Sequence, residues 1–291
     1  MNEVAVVRAG ALTTFQDCGR PGFAHLGVPP SGAADPPAFR LANRVVGNAA
    51  DAAVLEATLI GPALRFARPA LVAVTGADAG ATIAGHPLER GRAAEVPAGV
   101  VLELGGCREG VRAYISVRGG FAVDATLGSR SHDLLTGLGP PPLREGDLLH
   151  VGTEPARPPQ RAEIVPARGE PTLFVVPGPR DDWFPSEALA ALTETTWRVA
   201  AASNRIGMRL EGPALARLDR GELLSEGLVT GAIQVTSGGR PIVLGPDHPT
   251  TGGYPVIAVV VARDLPLAGQ LAPGSSLRFA EYHAAPKPGN V

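Results

Sequence analysis

The chain has 291 residues, 45% of them hydrophobic, and a formal net charge of −2. That length predicts one large or two ordinary domains with a proper core, and the composition excludes a disordered chain. The charge excludes the basic surplus of a nucleic-acid or anionic-membrane binder. No apolar stretch is long enough to span a bilayer, and MNEVAVVRAG has no signal-peptide pattern, so a cytoplasmic protein is expected.

In chain order, the first informative stretch is TTFQDCGRPGFAHLGVPPSGAAD, Thr13–Asp35. Hydroxyl, amide, carboxylate and guanidinium groups among glycines and prolines predict an ordered loop on a rigid scaffold, where sites tend to lie. Gln16, Asp17 and Arg20 are its candidate site residues. Its structural reading is a capped turn in which Asp17 accepts backbone N–H groups and pairs with Arg20. DPPAFRLANRVVGN then predicts a helix: Asp35 caps it, Pro36 fits the first turn, Gly47 ends it, and Phe39, Ala42, Val45 and Val46 share one face.

ALVAVTGA, GVVLELGG and RAYISVRGG read as strands. In the last, Ala113, Ile115 and Val117 form an apolar face and Tyr114, Ser116 and Arg118 a polar one. SVRGGFAVDATLGSRS places Arg118, Ser129 and Arg130 beside glycine turns, so the two guanidiniums are a candidate grip on a carboxylate or phosphate, Arg118 foremost, with a surface hairpin as the plainer reading. GTEPARPPQRAEIVPARGEP, residues 152–171, reads as a linker. Beyond it, TLFVVPG, RPIVLGPD and PVIAVVVARD predict strands and SEALAALTET a short helix. EATLIGPAL and VTGADAGATIAGHP before the linker resemble GMRLEGPAL and VTSGGRPIVLGPDHP after it, which suggests two related β domains.

Three further stretches carry candidate chemistry. SNRIGMRLEG holds Asn204 and Arg205. LLSEGLVTGAIQV places Glu226 and Gln234 among apolar residues, where a carboxylate pKa would rise toward that of a general base, unless Glu226 faces water at a strand end. DHPTTGGYP offers the Thr250 and Thr251 hydroxyls, a Gly252–Gly253 pair able to form an anion nest, and the flanking Asp247 and Tyr254; a glycine hairpin turn fits the same residues. Two cysteines, Cys18 and Cys107, exclude a disulfide framework and a multi-cysteine zinc site, and read as small buried packing residues. The one lysine, Lys287, lies in a Pro/Gly tail, leaving none for a Walker A loop, a Schiff base or biotin attachment within the body. Histidines 25, 86, 132, 150, 248 and 283 lack metal-helix spacing, and no nucleophile elbow or dinucleotide fingerprint follows a strand. No tightly bound metal or nicotinamide is expected.

Taken in order, TTFQDCGRPGFAHLGVPPSGAADPPAFRLANRVVGN, LEATLIGPAL, VRGGFAVDATLGSRS, SNRIGMRLEGP, SEGLVTGAIQV and DHPTTGGYPVIA resemble the allophanate hydrolase subunit 2 family. This is also called the KipA or biotin-dependent carboxyltransferase family, and the resemblance is closest to its members that serve as the C subunit of 5-oxoprolinase. Cys18 stands where the family usually has an aliphatic residue, and His248-Pro249 where a shorter polar pair is common.

The resemblance implies a mainly β fold with two cyclophilin-like β-barrel domains, 1–155 with a helical insert and 170–285. It implies two protein partners, one KipI-like and one LamB/YcsF-like. It also implies ATP (with Mg) in the complex, no covalent biotin on this chain, and little activity in isolation. The substrate would be a small amide or lactam. Arg118 or Arg205 would bind its carboxylate, Thr250–Gly253 the phosphoryl oxygens, and Asp17 or Glu226 would serve as base, with Gln16, Arg20, Asn204, Gln234 and Tyr254 lining the site. A urea-type carboxyltransferase component, or a regulator binding a KipI-like kinase inhibitor, are the alternatives.

Overall fold

The computed structural model describes residues 2–160 and 170–283. Part of the 152–171 stretch and Lys287 lie outside them. The protein is mainly β, with few short helices. It divides into two compact units. The first takes in the N-terminal half together with Pro246–Thr250 and Gly269–Ala272; the second holds the rest of the C-terminal half.

The first unit contains β1 (Asn2–Arg8), β2 (Leu12–Gln16), α1 (Pro36–Val46), β3 (Val54–Thr58), β4 (Ala63–Phe66), β5 (Ala70–Asp78), β6 (Thr82–Ile83), β7 (His86–Pro87), β8 (Ala93–Val96), β9 (Val101–Glu103), β10 (Glu109–Val117) and β11 (Leu148–Val151). They form two sheets, in the orders β11-β1-β4-β9-β6-β7 and β2-β3-β10-β5-β8. Inward side chains of both sheets make one core: Val4, Leu64, Phe66 and Leu102 with Phe15, Leu55, Val72 and Ile115. Each such fully buried side chain contributes about 1.5–3 kcal/mol of transfer free energy.

Helix α1 covers the opposite face of the second sheet, packing Phe39 and Ala42 on Tyr114 and Val54, and Val45 and Val46 on Ala73. The polar face expected for β10 is therefore buried too. Tyr114 donates to Glu56 Oε2 at 2.8 Å, and Ser116 to Asn43 Oδ1 on the helix at 2.8 Å. The helix ends follow the sequence. Asp35 Oδ1 accepts the Ala38 N–H at 3.0 Å, and Gly47 turns left-handed at φ 80°.

The second unit contains β12 (Thr172–Pro177), α2 (Ser186–Glu194), β13 (Trp197–Val199), β14 (Gly207–Glu211), β15 (Glu226–Gly227), β16 (Ala232–Val235), β17 (Pro241–Leu244), β18 (Thr251–Gly252), β19 (Val256–Val260), α3 (Leu265–Ala268) and β20 (Ser276–Glu281). Seven strands close a barrel, β12-β19-β16-β17-β14-β13-β20, sealed by the parallel pair β12–β20. Closure removes unpaired edges. Leu173, Trp197, Ile233, Val235, Ile257 and Leu277 are among its fully buried apolar side chains. Trp197 Nε1 donates to Leu192 O at 2.9 Å, tying α2 to the barrel. β15 and β18 pair separately as a two-stranded ribbon.

The expected internal repeat is only partly mirrored locally. Thr58 and Glu211 both end strands shortly before a Gly-Pro pair. Val74–Asp78, however, runs on as strand β5, whereas Val235 ends β16 and the residues after it form the hairpin turn to β17.

Candidate functional site

A buried polar cluster lies in the first unit, where the end of β2, which takes in Thr13–Gln16 of the expected loop, and the Asp17–Asp35 segment after it meet Ser129–Gly139 and Pro246–Thr250. The loop folds back on itself: Arg20 N donates to Pro30 O at 2.7 Å and Ala33 N to Asp17 O at 3.1 Å. Gly19 is required there, since a Cβ on it would collide with Pro30 O and its φ is +78°.

Asp17 is buried and accepts four hydrogen bonds. Gly19 N (2.8 Å), Ser129 Oγ (2.6 Å) and Ser131 Oγ (2.6 Å) reach Oδ1; Arg130 N (2.6 Å) reaches Oδ2. The serine hydroxyls in turn accept N–H groups of Ser131 and Asp17. This carboxylate organises two loops, and a group so saturated is poorly placed to take a proton from water.

The expected Asp17–Arg20 ion pair does not form. Arg20 Nε donates to Thr126 O at 3.3 Å and Nη2 to Ser131 O, while Nη1 is buried with no partner among the described residues. Arg20 is only 1% exposed. Burial lowers its pKa most, and the charges of Asp133, then Asp17, then Asp247 oppose that. Gln16 Nε2 donates to His132 O at 2.9 Å and to Thr14 Oγ1 at 3.0 Å.

Four further residues of this cluster were not singled out as site residues from the sequence. Asp133 is fully buried. Its Oδ1 accepts Leu135 N (2.7 Å) and Thr136 N (3.0 Å), and its Oδ2 has no partner among the described residues. Asp247, read only as flanking a loop, accepts Ser31 Oγ at 2.6 Å and Leu134 N at 3.1 Å. Ser31 holds a left-handed φ of 54°, costly for a residue with a Cβ and frequent where function over-determines the backbone. His248 is buried, with Nδ1 2.7 Å from Pro249 O, so Nδ1 carries the proton in the neutral ring. Burial lowers its pKa, against the Pro249 hydrogen bond and the charges of Asp247 and Asp133. The sequence signals were the Asx-turn pattern HDLLTG and the Asp-His-Pro triplet, neither specific alone.

Arg118 has a structural task instead of a free grip. Its guanidinium donates to Val46 O (2.8 Å), Pro155 O (2.6 Å) and Arg157 O (3.0 Å), and pairs with Glu154 at 3.3 Å. It satisfies an orphan carbonyl at the end of α1 and two in the segment returning past it, which is why it is not available to a ligand. Cys18 is exposed and Cys107 half-buried, so the expectation of two buried cysteines fails for Cys18. Desolvation raises both thiol pKa values, disfavouring a nucleophilic thiolate.

The second unit holds the other expected residues. Glu226 meets an ion pair, not apolar neighbours. Arg180 Nε donates to Oε2 at 3.0 Å and Nη2 reaches Oε1. The hydrogen bond to Glu226 raises the Arg180 pKa. Glu226 is therefore not a free carboxylate here, because a fork of donors occupies both its oxygens. Glu226 faces Gly252 across the β15–β18 ribbon and Gly227 faces Thr251.

That pairing also overturns the anion nest. Neither Gly252 nor Gly253 has a positive φ, and an extended strand points successive N–H groups to opposite sides. Gly252 is needed for closeness, since a Cβ would meet Leu228 Cδ1 at 2.9 Å and Gln234 Nε2 at 3.0 Å. Gln234 sits at a register shift between β16 and β19 and donates to Tyr254 O at 3.0 Å. Thr251, Gly253 and Tyr254 are exposed, and Thr250 belongs to the first unit. Asn204 Oδ1 accepts Ile206 N (2.9 Å) and Gly207 N (3.3 Å), closing a turn. Arg205 is buried, and its carbonyl lies where a side chain at Gly245 would stand.

A two-sheet unit carrying this buried cluster, followed by a closed barrel, defines a carboxyltransferase-type fold. The carboxyltransferase domain family, subdomains A and B, matches residues 26–281, and the chain belongs to that family. Over 95% of its length it is 36% identical to the C subunit of 5-oxoprolinase from Escherichia coli (strain K12), of which it covers 90%. It is also 36% identical, over 94% of its length, to urea amidolyase of Lachancea kluyveri, of which it spans only 16%. The crystal structure of the K. lactis urea amidolyase superposes with a TM-score of 0.89 at 34% identity, covering 97% of this chain and 19% of that one.

Proposed function

We propose that the chain acts as the C subunit of an ATP-dependent 5-oxoprolinase. The observation that carries this reading is the similarity along nearly the whole length of both chains to the Escherichia coli protein. The complex would open the lactam of 5-oxo-L-proline to L-glutamate together with KipI-like and LamB/YcsF-like subunits, and this chain alone would have little activity.

Amide resonance is the chemical obstacle. ATP, held with Mg in the complex, transfers its γ-phosphoryl group to the lactam oxygen, making the carbon electrophilic. One water adds to that carbon and the C–N bond breaks as the ring nitrogen takes up a proton, giving the amine and an acyl phosphate. A second water then adds to the acyl carbon and phosphate leaves with the former lactam oxygen, so that both oxygens of the new carboxylate come from water. Such a reaction needs donors to a polarised carbonyl and exclusion of bulk water. A buried cluster holding a guanidinium and several carboxylates supports this better than the exposed ribbon does.

The second reading is a carboxyltransferase component acting on a urea-like substrate, favoured by the equal identity to a urea amidolyase. Biotin would then be carried on another chain. Copurification with the KipI-like protein and an ATPase assay decide between them. Glutamate formation and ATP hydrolysis stimulated by 5-oxoproline support the oxoprolinase. Stimulation by urea only, dependent on a biotinylated carrier, refutes it.

A further inference from the structure

The segment Gly269–Ala272 belongs to the first unit, and Gln270 within it meets an irregularity in the second sheet. The β5–β10 pairing shifts register between Glu109 and Ala113, so Val111 and Arg112 have no β5 partners in register. The Gln270 carboxamide takes the place of those partners. Its Oε1 accepts the N–H groups of Val111 and Arg112, each at 3.1 Å, and its Nε2 donates to Arg112 O at 3.0 Å. Nε2 also donates to Asp35 Oδ2 at 2.9 Å. A carboxamide has two acceptor sites and two donors, and here all four are used.

The slot is shaped for that group. Gly76 and Gly110 hold left-handed φ values of +74° and +76°; a Cβ would lie 3.2 Å from Nε2 at the first and 2.9 Å from Oε1 at the second. Glycine therefore gives the backbone both its conformation and its close approach to the carboxamide. The carbonyl of Gly269 accepts Arg112 Nη1, so two adjacent residues hold the segment to β10. Asp35 is the far end of the clasp. Its Oδ1 is spent on Ala38 N, and its own N–H donates to Tyr114 Oη at 2.7 Å, which leaves Oδ2 held by Gln270 alone among the described residues.

We infer that Gln270 is a positioning residue for the candidate site: it clamps the C-terminal end of the loop that carries Asp17, Arg20 and Ser31 to the bulge of β10. An apolar side chain of the same length would fill the slot and leave two N–H groups, a carbonyl and a carboxylate oxygen without this partner.

The test compares Gln270→Met, which keeps the length without the hydrogen bonds, with Gln270→Glu, which keeps the acceptor and sets a second carboxylate against Asp35. The groups facing the slot are Asp35, Glu56, Arg112 (3.4 Å from Glu56) and Tyr114, with Arg90 donating to Gly76 O and pairing with Glu109. Burial raises the Asp35 pKa most; the Ala38 and Gln270 hydrogen bonds oppose it, Glu56 adds to it, and Arg112 opposes it. In Gln270→Glu the facing carboxylates hold a proton that the unfolded chain releases. That stability is present at low pH and is lost as pH rises through the folded pKa. The melting-temperature deficit of Gln270→Glu should narrow from about pH 8 to about pH 5, and by more than that of Gln270→Met. Amide protection at Asp35 and Ala38 in the full chain should fall about tenfold in both variants at about pH 8. In the complex reconstituted with the KipI-like protein, kcat for 5-oxoproline should fall about tenfold with KM within about threefold.

A Gln270→Glu deficit indifferent to pH, or unchanged protection in a folded Gln270→Met, overturns the clasp. Asp35→Asn combined with Gln270→Glu exchanges donor and acceptor. Its deficit should be smaller than the sum of the two single deficits, and strict additivity overturns the pairing. Lowered protection with unchanged kcat removes the positioning role. Only the kcat measurement rests on the proposed function: a complex that turns over urea but not 5-oxoproline refutes the oxoprolinase, and protection and melting still decide the clasp.

Discussion

The Asp17–Asp35 loop and the Glu226/Thr251 ribbon both combine glycines with hydroxyl and carboxylate groups, and they end in opposite environments. The first is folded over Ser129–Gly139, with Asp17 and Arg20 almost wholly buried. The second is a two-stranded ribbon with Thr251 in solvent and Glu226 tied to a half-exposed Arg180. A buried polar group must find partners or cost several kcal/mol, whereas an exposed one finds water. Composition therefore marks where polar chemistry is possible, and burial decides where it is consequential.

The comparison is broken most severely at Asp17. Asp17→Ala removes the acceptor of four donors and leaves two serine hydroxyls and two N–H groups without it. A loss of about 3–5 kcal/mol is expected in denaturant unfolding. Glu226→Ala, which frees one side chain at the surface, should shift the midpoint by no more than the experimental error. Equal losses from the two would show that burial does not separate these loops.

Gly139→Ala probes the same contrast through the backbone. Its φ is +87°, and a Cβ would collide with Ser131 O, a main-chain atom with little room to yield. About 2–3 kcal/mol of destabilisation is expected from strain of this kind. Gly253→Ala on the ribbon meets only Leu223 O at 3.2 Å, without a positive φ, and should cost well under half as much.

Much of the fold was legible in the sequence because local signals agreed with the global answer. Asp35, Pro36 and Gly47 bound α1 where they were expected to, and the Gly/Pro-bounded apolar runs became strands. The site was less legible because side-chain partners are non-local. Arg118 has the same local context as a ligand-gripping arginine, and only the return of residues 154–157 shows its donors to be taken. Asp133 and Asp247 sit in ordinary turn motifs 114 residues apart, and the fold alone brings them into the field of Arg20. The Gly252–Gly253 pair allowed a nest, but pairing with Glu226–Gly227 imposed an extended strand.

Burial also gives the first cluster a pH dependence. The His248 pKa lies below its usual 6.5 because the ring is desolvated, despite the Pro249 hydrogen bond and the facing carboxylates of Asp247 and Asp133. Below about pH 6.5 the unfolded state then binds more protons than the folded one, so stability rises with pH in that window. The stability tied to the neutral ring is intact above the unfolded value and is lost as pH falls through it toward the folded pKa. His248→Gln should therefore flatten the unfolding free energy between about pH 7 and pH 5.5 relative to wild type. An unchanged slope would mean that the ring is as accessible to protons in the fold as in the unfolded chain.

The smallest effect is expected at Thr251, whose hydroxyl the sequence offered as a donor to an anion. Loss of one preorganised donor to a transition-state oxyanion costs about 10²–10³ in rate. That magnitude requires a donor held rigidly in a site shielded from water. Thr251 is exposed, lies on a two-residue strand, and is followed by glycines that form no nest. Its hydroxyl competes with water, and its replacement by valine keeps the β-branched shape that a strand favours. Thr251→Val in the reconstituted complex should keep turnover within about twofold and leave stability unchanged, as for most exposed substitutions away from special features. A loss of a hundredfold in kcat with the KipI-like protein still bound would return the donor role to the ribbon, and burial would then not be what distinguishes the two regions.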